Sequence, residues 1–443
     1  MKKTIAIIGA AGVLLWLGAS YLTGFLAEKE TRNLVERLNQ QSQDYGVTNI
    51  DVYDRGLLSS KVTYSYNLPP SLAAMTGYKE AIKYSCDYDH GLIGISYSCD
   101  LMSIDAYRQF VAETFNGEDP ITITGSIAAF GGIKQTISVD AIDTEIDGGG
   151  SIKVGASEFN LMSSGGLDKY DVSATIGASN IIDETSAFNI SDIKLDAQLS
   201  KTELGLFAGN YSLETDQLAV TGPDETFSVS GFELNGNTSD NVETMDSVIQ
   251  VSIKRLKNDQ SSDMTMEDVS LAVDFIGINT EALIAYQEFA RNLQTDLLAN
   301  VEYGEEPQMD PNQIMALLPI IEKMLGKDLN IKVAIKAKLD GKPNSFDFNL
   351  KLLEKMTFTQ LSAFMFDPAS VLKKINLELE TSLHKTALGS NPAALEAIAQ
   401  NPMFVSKDGS YSTSLVLGET SFLNGKTVSI QELQALLMAG AQR

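Results

Sequence analysis

The sequence predicts an α+β fold that is β-rich, built of extended antiparallel sheets or a curved β-groove, with helices concentrated in the C-terminal part and one N-terminal transmembrane helix. Three observations predict it. From Ile121 to Phe275 apolar and polar residues alternate in run after run, the period of two that marks half-buried strands. After Asn279 the apolar spacing changes to threes and fours, the period of amphipathic helices. At the N-terminus, Thr4 to Ala27 is a stretch without a charge, preceded by Lys2 and Lys3. The chain divides accordingly into an anchor (1–27), an antiparallel β-rich region (28–278) and an α+β region (279–443).

The anchor is justified by length. A bilayer core takes about 20 apolar residues at helical rise, and only a helix satisfies the backbone of a single span there. A cleaved signal peptide has a shorter apolar core of roughly 7–15 residues, although Gly18, Ala19 and Ser20 offer a peptidase small side chains. Lys2 and Lys3 on one side, against a mixed Glu28, Lys29, Glu30 and Arg32 on the other, keep the N-terminus inside and export the body. No Cys stands near the run to take a lipid.

The helix is expected to continue to about Gln41, with Leu34, Val35 and Leu38 as its apolar stripe, and to end at Tyr45 and Gly46. Ile50 and Val52, then Val62, Tyr64 and Tyr66, read as strand, turn, strand around Asp54, Arg55 and Gly56. Tyr84 to Leu101 is a second hairpin, with His90 and Gly91 at a bend near Leu92 and Ile93. That bend lets Cys86 and Cys99 face each other. An oxidising compartment permits a bridge contributing on the order of 3 kcal/mol; the alternative is two free thiols.

Further along, Tyr170 to Ile176, Ile193 to Leu199 and Val269 to Phe275 are strands. Asp147–Gly150, Ser163–Gly166 and Asn235–Asn237 read as turns between strands. No fixed repeat period is present. Leu283, Tyr286, Ala290, Leu293 and Leu297 form one helix, and a second runs from Asp310 and Pro311 to Gly326, where Pro319 is expected to kink or divide it. Leu329 to Leu339 and Phe346 to Leu352 form a hairpin about Asp340 and Gly341. Short helices follow Asp367–Pro368 and Asn391–Pro392, with a strand at Ile375 to Leu379 between them. Ser429 and Glu432 make a capping box for the last helix.

Taken together, the anchor, the stretch Tyr53, Asp54, Arg55, Gly56, Leu57, Leu58, Ser59, Ser60, the triplet Asp89, His90, Gly91 and the late Phe422, Leu423, Asn424, Gly425, Lys426 resemble the YdgA family of bacterial inner-membrane proteins. The resemblance spans nearly the whole chain and singles out Tyr53, Arg55, Gly56, Ser60, His90, Gly91, Asn424 and Gly425. It implies a periplasmic body tethered to the inner membrane of a Gram-negative bacterium, closing on an Asn-Gly hairpin. Leu92 and Ile93 stand where the family's usual proline follows the His-Gly pair.

Chemistry is sparse. With 58 Asp plus Glu against 33 Lys plus Arg, the net charge of −25 repels nucleic acid and anionic headgroups. His90 and His384 have no HExxH spacing and no Cys or carboxylate motif, so hairpin and strand-end roles are expected of them. There is no GxSxG elbow and no phosphate-binding glycine loop. Pairs such as Asp87 with Asp89 or Asp183 with Glu184 arise by chance among so many carboxylates. Arg55 is expected to pair with Asp54 or a neighbouring strand. No catalytic residue, metal ligand or cofactor is assigned.

Two readings of the alternating faces compete: a closed sandwich core, or a groove whose apolar inner face accepts an acyl chain. An outer-membrane barrel fits neither the anchor nor the helices. The functional expectation is a non-enzymatic protein of the inner membrane that binds or shields a hydrophobic ligand such as lipid. The alternative is an envelope scaffold with a protein partner. A hydrolase would need a constellation assembled from distant residues.

Overall fold

The computed structural model describes residues 23–40, 46–69, 73, 80–91, 94–102, 104–128, 131–146, 149–164, 166–183, 185–223, 226–258, 264–300, 311–327, 329–362, 368–388 and 392–441. Most of the expected anchor lies outside these residues, as do Leu92, Ile93, Glu184 and the segment 301–310. Among the described residues no helix is long and apolar enough to cross a membrane.

A helix over residues 23–40 (α1) opens the described chain. Four strands follow, Val47–Arg55 (β1), Ser59–Asn67 (β2), Ile82–His90 (β3) and Gly94–Asp100 (β4), then helix Asp105–Thr114 (α2). The central strands are Ile121–Ala128 (β5), Ile133–Val139 (β6), Ile142–Ile146 (β7), Gly150–Val154 (β8), Ser157–Ser163 (β9), Lys169–Ile176 (β10), Ser179–Ile182 (β11), Ala187–Ile190 (β12) and Ile193–Lys201 (β13). Four long ones come next: Phe207–Thr221 (β14), Thr226–Asp240 (β15), Thr244–Asn258 (β16) and Met264–Asn279 (β17). Helices Thr280–Asn300 (α3) and Pro311–Met324 (α4) precede the hairpin Asn330–Leu339 (β18) and Lys342–Leu352 (β19). The chain ends with Phe358–Ser362 (α5), Pro368–Leu372 (α6), Ile375–His384 (β20), Pro392–Gln400 (α7), Val405–Lys407 (β21), Ser410–Leu417 (β22), Ser421–Leu423 (β23), Lys426–Val428 (β24) and Ile430–Ala441 (α8). Pro319 neither ends nor divides α4.

All 24 strands belong to one antiparallel sheet. Most pair with their chain neighbours; pairings that skip include β9, which returns to β6, β13, which returns to β10, and β22, which also pairs β20. Strands β7, β8, β11 and β12 form a branch joined to the second half of β14. The edge strands β1 and β24 do not pair with each other, so the sheet does not close on itself through them.

Residues directly opposed in an antiparallel pair share a face, and following the registers across the sheet gives one row. It runs Tyr53, Val62, Cys86, Cys99, Ile123, Ile137, Phe159, Ala174, Leu195, Leu213, Leu234, Val251, Leu271, Ile335, Phe346, Thr381, Thr413. At about 4.8 Å per strand the row is about 75 Å long. A parallel row on the same face carries Leu161, Val172, Ala197, Tyr211, Ile249, Val273, Val333, Phe348 and Leu379. The opposite face is polar. Its rows carry Asp196, Ser212, Asn235 and Gln250 at one end and Asp347 and Glu380 at the other.

The apolar face does not change sides where the strands kink. On β18, Ile335 and Leu339 are an even number of residues apart, yet their partners on β17, Leu271 and Met266, are separated by five. One extra residue therefore lies between them, where Asp268 adopts φ 48°. The same interruption falls at Lys254 in β16, at Gly231 in β15 and at Asp216 in β14. Gly231 has φ 60°, which a side chain resists. Beyond them the line continues as the breaks at 191–192, 177–178, 155–156 and 140–141, which separate β12 from β13, β10 from β11, β8 from β9 and β6 from β7. Eight chain passages thus bend along one crease. Below it the apolar row resumes as Ile142, Val154, Ser179, Ile190, Leu218, Val229, Leu256, Met266 and Leu339. Backbone donors at the crease find partners: Ala178 N–H donates to Asp192 Oδ1 (2.7 Å), Gly177 N–H to Ser157 Oγ (3.0 Å) and Ser191 N–H to Gln217 O (2.8 Å).

The turn expected at Asn235–Asn237 does not form; these residues lie inside β15. Tyr211 stands opposite Gly236, and a Cβ on that glycine would collide with the Tyr211 ring. The ring covers the gap the glycine leaves, so the strand runs through.

The two clusters of buried apolar residues lie at the sheet's ends. One cluster gathers Val62, Tyr64, Cys86, Tyr88, Ile95 and Ile127 with Ala27 of α1. The other gathers Leu329, Leu352, Met356, Val371, Leu372, Ile375, Leu415, Leu417, Leu423 and Leu433. Between Ile127 and Leu329, the fully buried apolar residues among those described are Leu167, Leu206, Met245 and Ala282, which sit in connections, at a strand end and in α3. The rows themselves are half-buried there.

Cys86 and Cys99 are directly opposed on β3 and β4 and form a disulfide. Reducing it is expected to cost on the order of 3 kcal/mol, read as a lower denaturant midpoint for the reduced chain.

Candidate functional site

The N-terminal motif residues gather where α1 lies across the first strands. Arg55, last in β1, reaches back to α1: its Nη1 is 3.3 Å from Glu28 Oε2, and its guanidinium lies 5.5 Å from the centre of the Phe25 ring. Arg32 holds the other oxygen of the same carboxylate at 3.0 Å and lies over the Tyr53 ring. Arg55, expected to pair with Asp54 or a neighbouring strand, pairs with Glu28 of α1; neighbouring residues on a strand point to opposite faces. Asn39 clamps the edge strand β1 at both backbone groups of Thr48, donating to its carbonyl (2.7 Å) and accepting its N–H (2.9 Å). That side chain occupies an edge that would otherwise be open to pairing.

Gly56 N–H donates to Ser59 O (2.8 Å), closing the β1–β2 turn, and Gly91 N–H donates to Gly94 O (2.8 Å), closing the next. His90 N–H bonds Leu58 O (2.8 Å), tying the turns together. Beneath them Ser60 Oγ lies 2.8 Å from His90 Nε2, and His90 Nδ1 lies 3.4 Å from Leu57 O. In form this is a nucleophile beside a base. Both residues are buried, and Gly24 of α1 packs so closely on the imidazole that any Cβ there would strike it. A backbone carbonyl stands where a triad would place a carboxylate. The pair's evident work is to seat α1.

Around this seat lies a cluster of tyrosines. Tyr64 stacks on Tyr84 (ring centres 5.2 Å apart), Tyr88 lies 5.4 Å from Tyr97 and 6.3 Å from Tyr53, and the Tyr64 and Tyr88 hydroxyls are hydrogen-bonded. Burial pushes the Tyr88 phenol up to about 12 and drives Tyr64 and Tyr97 upward for the same reason.

Asn424 and Gly425 close the other end. Both have positive φ, 51° and 76°, as a two-residue hairpin of the Asn-Gly kind requires. Asn424 also ties three segments: its N–H donates to Ser414 O (2.7 Å), its Oδ1 accepts Ser414 N–H (2.9 Å) and its Nδ2 donates to Met403 O (2.9 Å). The structure does not bring this hairpin near the Ser60–His90 pair. The two sets of motif residues sit at opposite ends of the apolar rows.

Shallow depressions mark the polar face, one of about 500 Å³ over Gln198, Asn210, Asn235 and Gln250 and one of about 530 Å³ over Asp274, Lys332, Asp347 and Glu380. A third, about 640 Å³, is lined by His90, Ile95, Ile127, Ile133 and Met162. Asp87 and Asp89 are exposed, and His384 ends β20 with its Nδ1 2.9 Å from Thr386 Oγ1. Among the described residues no group of three or more His, Cys, Asp or Glu side chains is placed to hold a metal.

Sequence reasoning missed the seat itself. Gly24, Ala27 and Thr31, spaced by three and four, were the available signal for close helix packing.

Two outcomes are expected. Ser60→Ala leaves His90 Nε2 without its partner in a buried site and lowers unfolding free energy by about 1–3 kcal/mol, measured by denaturant titration. The tyrosine cluster makes stability depend on alkaline pH. An unfolded tyrosine ionises near 10 and Tyr88 in the fold near 12, so its burial stabilises fully below pH 10 and ceases to as pH rises towards 12. Thermal unfolding followed from pH 9 to 12 shows that fall, and Tyr88→Phe reduces it by on the order of 2–3 kcal/mol.

No curated protein and no solved structure matches the chain. A family model does: residues 1–431 match the one described as "Bacterial protein of unknown function (DUF945)", and over that span, both motif-bearing ends of the sheet included, the chain belongs to the DUF945 family.

Proposed function

We propose that the protein holds acyl chains of a lipid against the apolar face of its sheet, tethered by the N-terminal apolar run to the inner membrane with its body in the periplasm. The observation that carries this reading is the row from Ile123 to Phe346, which stays apolar across strand after strand. It covers about 50 Å at the usual strand spacing. No second layer fully buries it among the described residues. Half-burial along such a length costs solubility unless something apolar covers it. Registers preserved through the crease keep the same side apolar, which a chain selected only to present a wet surface would not need. The reading involves no bond-breaking chemistry.

A second reading, an envelope scaffold, draws on the opposite face. There the carboxylates of Asp274, Asp347 and Glu380 surround Lys332 in an open depression suited to a polar protein partner.

Native mass spectrometry of the full chain extracted from membranes, followed by organic extraction, tests the first reading. Lipid at fixed stoichiometry is expected. Replacing Leu234 and Val251, central in the row, with Ser is expected to remove most of it while lowering stability by only about 1–2 kcal/mol, because both are half-buried. A bare wild-type mass sinks the lipid reading and turns attention to crosslinked partners.

A further inference from the structure

We propose that α1 is a movable cover over the first strands of the apolar face, and that an acyl chain takes its place when it lifts. The inference rests on the lipid reading above and adds where the ligand enters. Val62, Cys86 and Tyr88 belong to the same rows as Leu213 and Tyr211, yet the first three are fully buried and the last two are not. The difference is α1. It occupies, over the first strands, the position that a ligand would occupy farther along.

What α1 brings to that position is small. Ala27, Thr31 and Val35 face the cluster, while Phe25 (54 % exposed), Leu26 (44 %) and Leu38 (41 %) face away. Its polar attachments lie at the rim. Glu28 with Arg55 and Arg32 is a partly exposed network of the kind that contributes little. Under the helix, Thr31 is 1 % exposed, and its hydroxyl, near Tyr88, makes no hydrogen bond of good geometry; the buried Tyr53 hydroxyl, near Ser60, makes none either. Those are penalties of the seated state that a lifted helix escapes. The seat is specific, through Gly24 on His90.

An acyl chain suits the vacated surface better than a peptide. A bound strand needs backbone partners, which a sheet face does not present. Side chains without charge, continuous with the rest of the row, ask only for an apolar chain.

The test follows loading of photoreactive palmitic acid from phosphatidylcholine vesicles into the full chain, comparing wild type, Thr31→Val and Gly24→Leu. Thr31→Val replaces the buried, poorly satisfied hydroxyl with a methyl of similar size, tightening the seat, and is expected to slow loading about fivefold at unchanged final yield. Gly24→Leu drives a side chain into His90, unseats the helix and is expected to speed loading. Should Gly24→Leu fail to fold, Thr31→Val decides alone. Equal rates in wild type and Thr31→Val, with crosslinks still found along β9 to β18, overturn the cover and leave the lipid reading standing. No loading in wild type overturns both.

Discussion

The constraint on which the rest depends is the pleat. In an antiparallel sheet each side chain is committed to a face by its parity, and a slip of one residue sends every later side chain to the wrong side. This protein carries one apolar row through seventeen strands, from Tyr53 to Thr413, without losing that parity. Its crease is possible only because neighbouring passages take their extra residue along a single line. Asp216, Gly231, Lys254 and Asp268 have little in common chemically; what they share is position relative to the register. A lone bulge would set one strand against its neighbours, whereas an aligned series bends them together.

The ends solve a different problem. The edge strands of an open sheet are templates for unwanted pairing. At the first, α1 lies over the face and Asn39 engages the edge of β1. At the last, β24 is only three residues long and the chain leaves it directly for α8. The motif residues of the sequence are spent on these closures: Tyr53, Arg55, Gly56, Ser60, His90 and Gly91 at one end, Asn424 and Gly425 at the other. The long middle is built from residue classes and register.

That division explains what was legible beforehand. Alternation located β10, β13, β17 and the β18–β19 hairpin, and proline and capping residues located α4, α6, α7 and α8, because these signals are local. Pairings that skip, β6 with β9 and β10 with β13, depend on which edges are free when a strand arrives, and no single strand encodes that. The crease was present as a one-residue slip of phase, Leu213 and Thr215 giving way to Leu218 and Val220, but reads as noise until neighbouring strands show it together. Asn235–Asn237 misled because its turn composition is overridden by Tyr211 across the strand. Of the candidate site, the Cys86–Cys99 bridge followed from the spacing within a hairpin, and the Asn-Gly hairpin from the family resemblance. The contact between Ser60 and His90, thirty residues apart, needed the register of β2 on β3.

Strand order that mostly follows chain order bears on how the molecule comes to exist. A chain delivered from its N-terminus can add each hairpin to the edge just completed, without waiting for distant segments, and such sequence-local pairing goes with fast assembly. The growing sheet would advance like a zipper, always presenting one raw margin to its surroundings. The last thirty residues then act as the stop at the end of the zip, and a chain cut short before β23 would be left with the adhesive margin that the complete protein hides.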